Sequence, residues 1–182
     1  MLRARQPITL RSLVAGTGVS SMAVYTYFDG MDGLWKAVRQ EGFTRLAAVL
    51  DGVVTSTDPV RDLATLGAAY LANAEASPDL YRVMFDAEVE LEEPAAADAT
   101  LQPLIDGVDR AKAAGRFAGQ VDPLELAVQS WAIGHGLASL AITGPLPRAA
   151  LSHAVPMLTA LFVSAGDEPA RCRKSVERGW SS

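Results

Sequence analysis

The chain has 182 residues, 49% of them hydrophobic, and carries 16 basic against 21 acidic side chains for a net charge of −5. That apolar share excludes a disordered chain, and the length suits one extended domain or a small domain joined to a larger one. The single cysteine, Cys172, excludes an internal disulfide framework or a cysteine-based zinc cluster and fits a reducing, cytoplasmic compartment. The start, MLRARQPITLRSL, shows no apolar signal core, and the longest apolar run, WAIGHGLASLAI, is too short and too polar to span a bilayer.

In chain order the pattern is helical nearly throughout, which predicts an all-α fold. Thr9 can cap a helix carrying Leu10, Leu13, Val14 and Thr17, and Gly18 suits the turn that follows. Ser20 or Ser21 can cap a second short helix on which Val24 and Phe28 face inward, and DGMDG ends it. A long amphipathic helix follows, with Leu34, Val38, Leu46, Val49, Leu50 and Val53 as its apolar face. Asp58-Pro59 opens a helix that Ser77-Pro78 stops, and residues 79–86 hold the aromatic cluster LYRVMF. EVELEEPAAADA reads mostly as a loop before a helix over 101–114. Asp122-Pro123-Leu124-Glu125 is a strong helix start, with Gly144-Pro145 as its stop. A last helix over 148–165 contains Pro156, which predicts a kink, and residues 167–182 read as a loose basic tail.

Charge divides unevenly along this order. The first 46 residues hold Arg3, Arg5, Arg11, Lys36, Arg39 and Arg45 against Asp29, Asp32 and Glu41, a net +3 on a chain of −5. A basic head on an acidic body is the distribution expected when only the head meets a polyanion, although solvated helix faces give the same numbers. Two short helices joined by a glycine turn form a helix-turn-helix, whose second helix must offer its N-terminal residues to base edges while its neighbours hold phosphates. Thr9, Arg11, Ser20, Ser21, Tyr25, Thr26 and Tyr27 can donate to phosphate oxygens, and Met22 and Ala23 can touch base edges or a thymine methyl. Ordinary core and turn material is the competing reading of the same residues.

The stretch TLRSLVAGTGVSSMAVYTYFDGMDGLWKAV, residues 9–38, resembles the TetR family of bacterial transcriptional regulators, in the spacing of Thr9, Gly18-Val19-Ser20, Tyr25, Tyr27-Phe28 and Leu34. YLANAEASPDLYRVMF and WAIGHGLASL resemble a C-terminal domain of such regulators named for a Trp-His-Gly motif, here Trp131, His135 and Gly136. The resemblance implies a homodimer that binds palindromic operator DNA, most often as a repressor, and whose body binds a small molecule. The division it implies is a DNA-binding head over 1–46, a ligand-binding and dimerisation domain over 47–166, and the tail. Two departures stand out. Family members carry a helix before this motif, and here only eight residues precede Thr9, so most of helix one is expected to be missing. Met31 also stands where the family usually places a phosphate-contacting lysine.

Trp131 and His135 share one helix face, and Tyr70, Tyr81, Met84 and Phe85 come from two other helices; together they can line a mostly apolar pocket for a partly apolar effector. A plain packed core with His135 bonded to a backbone carbonyl is the alternative. His135 and His153 are the only histidines and fall on different helices, so no metal or cofactor site is expected, and no nucleophile or phosphate loop indicates an enzyme. Ala138, Leu140, Ala141, Leu151, Val155, Leu158, Leu161 and Phe162 offer an apolar surface for dimerisation. The reading is a ligand-responsive regulator; the alternative is a dimeric helical ligand-binding protein that has lost autonomous DNA binding.

Overall fold

Side-chain oxygens placed to take up the first free amides of a helix set most of the helix starts. In the computed structural model, which describes residues 9–86, 89, 91 and 93–181, Thr9 opens α1 (Leu10–Val14). Its hydroxyl accepts from the Ser12 amide at 3.2 Å, and Ser12 Oγ accepts from the Thr9 amide at 3.0 Å, a reciprocal capping box. Ser20 caps α2 (Ser21–Phe28) through the Ala23 amide at 3.2 Å. Asp58 and Asp122 cap α4 (Pro59–Ala76) and α7 (Pro123–Thr143), each followed by a proline whose missing amide costs nothing in a first turn. The stub expected ahead of Thr9 lies outside the described residues.

Between α2 and α3 (Met31–Asp51) the chain turns on Asp29 at φ 57° and Gly30 at φ 99°. A Cβ on Gly33 would overlap the Phe28 carbonyl, so only glycine allows α3 to start that close to α2. Then come α5 (Pro78–Met84), α6 (Ala95–Ala113), a 3-10 turn (Arg148–His153), α8 (Ala154–Ser164) and α9 (Pro169–Trp180). The described residues contain no strand.

Three expectations need correction. First, α6 starts at Ala95, six residues before the predicted Leu101, because alanine, the strongest helix former, extends the helix back to Pro94. Second, the break expected at Pro156 comes earlier: the chain runs as a 3-10 turn to His153, and Pro156 falls in the first turn of α8, where no amide is needed. Third, the expected loose tail is α9, with Cys172, Ser175, Val176 and Gly179 buried at i, i+3, i+4 and i+7 against α4 and α8. A Cβ at Gly179 would overlap the Arg61 carbonyl, so glycine there allows the two backbones to touch.

The core forms two clusters. One, among α4, α6, α7, α8 and α9, contains Val60, Leu63, Val108, Leu126, Leu158, Phe162 and Val176. The other, among α3, α4, α5 and α7, contains Phe43, Leu46, Leu50, Tyr70, Tyr81 and Met84. Leu104 and Trp180 pack against both. On α3 the predicted face holds at Leu46 and Leu50, but Val49 is 42% exposed and Phe43, which the pattern missed, is buried. On α2, Val24 is buried as expected, whereas Phe28 remains 37% exposed.

A buried ionic cluster ties α9 to the rest. Arg116, which follows the Gly115 turn, is 1% exposed. Its guanidinium donates to both carboxylate oxygens of Asp167 at 2.7 and 2.6 Å, to Asp58 at 2.6 Å and to Ser175 Oγ at 3.2 Å. Ser175 donates to Asp58 at 2.6 Å. Burial alone would raise the Asp58 carboxyl, but the Ser175 hydroxyl and Arg116 outweigh it and hold the group below 3.8. Burial likewise opposes the charge on Arg116, and the bonds to Asp167 and Asp58 overcome it. The Cys172 thiol beside this cluster is pushed up to about 12, by burial first and then by the Asp167 charge.

Candidate functional site

The sequence-predicted residues fall into two places. In the head, α1 buries nothing and α2 buries only Val24. Met22, Tyr25 and Tyr27 are 68%, 56% and 79% exposed, and Arg11, Ser20 and Thr26 also face solvent. Ala23 and Ser21 are half-buried. Part of the hydroxyl set is occupied locally: Thr9 and Ser20 act as caps, and Thr26 donates to the Met22 carbonyl at 3.0 Å. Tyr25 lies against Gly30, so its ring stands over the turn leading to α3. Ser21, Tyr25, Tyr27 and Arg11 make no side-chain hydrogen bond to another described residue.

In the body, the structure brings Tyr70, Tyr81, Phe85, Trp131 and His135 into one aromatic group. Tyr70 (α4) and Tyr81 (α5) bring their hydroxyls within 3.1 Å of each other, and both reach His135 Nδ1 (α7), at 3.1 and 2.7 Å. One proton arrangement satisfies all three: Tyr70 donates to the Tyr81 oxygen, Tyr81 donates to Nδ1, and the imidazole carries its proton on Nε2. Phe85 meets the His135 ring edge to face at 4.3 Å, and Trp131 lies 5.1 Å from it, one turn back on α7. Burial keeps His135 neutral by lowering its pKa, and burial pushes the Tyr70 phenol up to about 12 and the Tyr81 phenol up as well. The alternative reading of His135, bonded to a backbone carbonyl, does not describe this imidazole, because its partners are two phenols.

Open space lies beside this group. An inner cavity of about 30 Å3, between α4, α6, α7 and α8, is lined by Leu63, Leu66, Tyr70, Leu104, Ser130 and Trp131 among others. That is room for little more than water. A wider cavity of about 280 Å3 opens between α3, α5, α6 and α7, lined by Arg39, Phe43, Phe85, Asp98, Thr100 and Trp131 among others. Thr100 and Trp131 belong to both linings and form the partition. Tyr81, Met84 and His135 line neither: Tyr81 and His135 stand behind the wall and brace Tyr70, which lines the inner cavity. Met84 instead fits the notch at Gly42 on α3, where a Cβ would overlap its side chain.

Sequence reasoning missed Arg39, Phe43 and Thr100. Phe43 carried a signal, since an aromatic residue stands four positions after Arg39 on the same face of α3. Arg39 carried none, because an arginine on an amphipathic helix reads as solvated. Its Nε donates to the Met84 carbonyl at 2.8 Å, closing the end of α5, and its guanidinium carbon stands 6.0 Å from the Phe43 ring centre.

A family model described as "Tetracyclin repressor-like, C-terminal domain" matches residues 63–163, which stops short of α9. Among solved structures, a protein of unknown function from Rhodococcus sp. RHA1 superposes with a TM-score of 0.73 at 26% identity, over 88% of this chain and 86% of that one. PfmR, a TetR family transcriptional regulator from Thermus thermophilus, gives 0.68 at 16% identity, over 88% and 90%. TylP, a TetR regulator from Streptomyces fradiae, gives 0.65 at 20% identity, over 96% and 85%. No curated protein matches the chain.

Proposed function

The chain belongs to the tetracycline-repressor-like family, and from that premise we propose that it is a cytoplasmic, ligand-responsive transcriptional repressor that binds palindromic operator DNA as a homodimer. The division follows the sequence reading: a head over 1–46, and a ligand-binding and dimerisation body beyond it, to which α9 belongs.

The observation that carries this reading is the exposed face of α2. A short helix whose one buried side chain is Val24 turns Met22 and Tyr27 outward, 68% and 79% exposed, and leaves Tyr25 56% exposed where it lies over the turn to α3. In the proposed complex Ser21, Tyr25, Tyr27 and Arg11 contact phosphates, Met22 and Ala23 meet base edges, and Thr9, Ser20 and Thr26 shape the helix ends.

Dimerisation is supported by the outer face of α7 and α8. Ala138, Leu158 and Phe162 are buried within the protomer, but Leu140 on α7 and Met157 on α8 are 44% and 43% exposed. Effector binding in the cavity beside Trp131 re-spaces the two heads, to the extent that the effector prefers one of the two states.

Selection of DNA from a random pool tests the proposal. Enrichment of a palindrome, with protein running as a dimer in sedimentation, supports it. A dimer that enriches no sequence points to the ligand-binding protein without DNA recognition.

A further inference from the structure

We propose that the effector is a planar aromatic carboxylate, held in the wider cavity with its ring against Phe43, Phe85 and Trp131 and its carboxylate on Arg39. This rests on the regulator reading above and names the ligand class and a recognition residue. Three aromatic side chains from three elements converge on one opening of about 280 Å3, a size suited to a single or fused ring rather than a long chain. Phe43 and Phe85 stand edge to face at 5.6 Å, and Phe85 and Trp131 lie 6.2 Å apart, so the walls are flat and fixed.

Polarity sets the headgroup. Arg39 is half-buried, and its Nε is occupied by the Met84 carbonyl. No described residue bonds its terminal amino groups. Those two groups present the fork that pairs with a carboxylate, beside aromatic walls that strengthen the pairing. Thr100 Oγ1 donates to the Ala97 carbonyl at 2.7 Å, which leaves its oxygen able only to accept. Among the described residues the one other charge in the lining, Asp98, is exposed in the first turn of α6, where water screens it; it weakens an anion at the mouth without blocking it.

Arg39 also gives the pairing a direction. It stands on α3, whose first turn packs against α2, while the Met84 carbonyl it holds ends α5. A carboxylate that draws the guanidinium toward the cavity pulls on both helices.

The test is calorimetric titration of the purified protein with 2-naphthoate and with its neutral counterpart, 2-naphthalenemethanol. The acid is expected to bind at least about tenfold more tightly than the alcohol, with the difference shrinking as salt rises. Arg39→Gln should remove that difference, so that acid and alcohol bind the variant equally. Asp98→Asn should tighten the acid by about twofold to threefold, a gain that misfolding cannot produce. Equal affinity for acid and alcohol, indifference to Arg39, or binding of neither probe overturns the proposal. Failure of the regulator reading shows elsewhere, as absence of operator enrichment by ligand-free protein.

Discussion

The proposed head and body of this protein use the same kinds of residue to opposite ends. Over residues 9–30 the structure buries Val24 and Gly30, while tyrosine, methionine and valine side chains stand in solvent. In the body, tyrosines 70 and 81 are buried and bonded to an imidazole, and an arginine is closed off among two aspartates and a serine. Helix capping is a device the two share. The body is therefore held by long-range contacts that fail together, and the described head by local ones that fail singly.

The sharpest way to break that contrast is Arg116→Ala. It leaves Asp167 buried without its counter-ion and the half-buried Asp58 without its own, and should cost about 3–5 kcal/mol in urea unfolding. A loss below about 1 kcal/mol would mean that the cluster behaves as a surface pair open to water. Tyr81→Phe comes next. It removes the shortest bond to His135 but leaves Tyr70 within reach of Nδ1, so a loss of about 1–2 kcal/mol is expected in the same assay. Ser20→Ala should cost about 1 kcal/mol, seen as faster amide hydrogen exchange in α2 while the urea midpoint of the body stays in place. A shift of the global midpoint would show that head and body unfold as one unit.

The smallest effect is a pH dependence. The folded pKa of His135 lies below 6.5, so folding favours the neutral ring. Its contribution is fully present above 6.5 and is lost as pH falls through the lower folded value. Asp58 acts in the same direction in a more acid window, its contribution being present above 3.8 and lost below. Urea unfolding between about pH 7.5 and 5 should show stability declining toward acid, with a flatter slope in His135→Asn. An unchanged slope would remove His135 from the account.

Most helix starts were legible because Thr9, Ser20, Asp58-Pro59 and Asp122-Pro123 act on amides two or three residues away. The aromatic group was legible as a set, since Tyr70, Tyr81, Phe85, Trp131 and His135 sit at helical spacings that point them inward. Its form was not: hydroxyl-to-imidazole bonds between residues 54 and 65 positions apart depend on how three helices cross. The last helix was hidden because its buried face is made of Cys172, Ser175, Val176 and Gly179, small residues that read as polar filler beside four basic ones. Arg39 and Arg116 were hidden for a related reason, since nothing in local spacing tells a buried guanidinium from a solvated one.

The seating of Cys172 also makes this protein convenient for labelling. Its only thiol stands on the buried face of α9 and is held protonated far above neutral pH, so a maleimide finds no native target while α9 stays docked. A cysteine introduced at Tyr27, which is 79% exposed, can carry a dye or spin label without removal of the native one. Across a dimer, such a pair of labels would read the distance between the two heads directly.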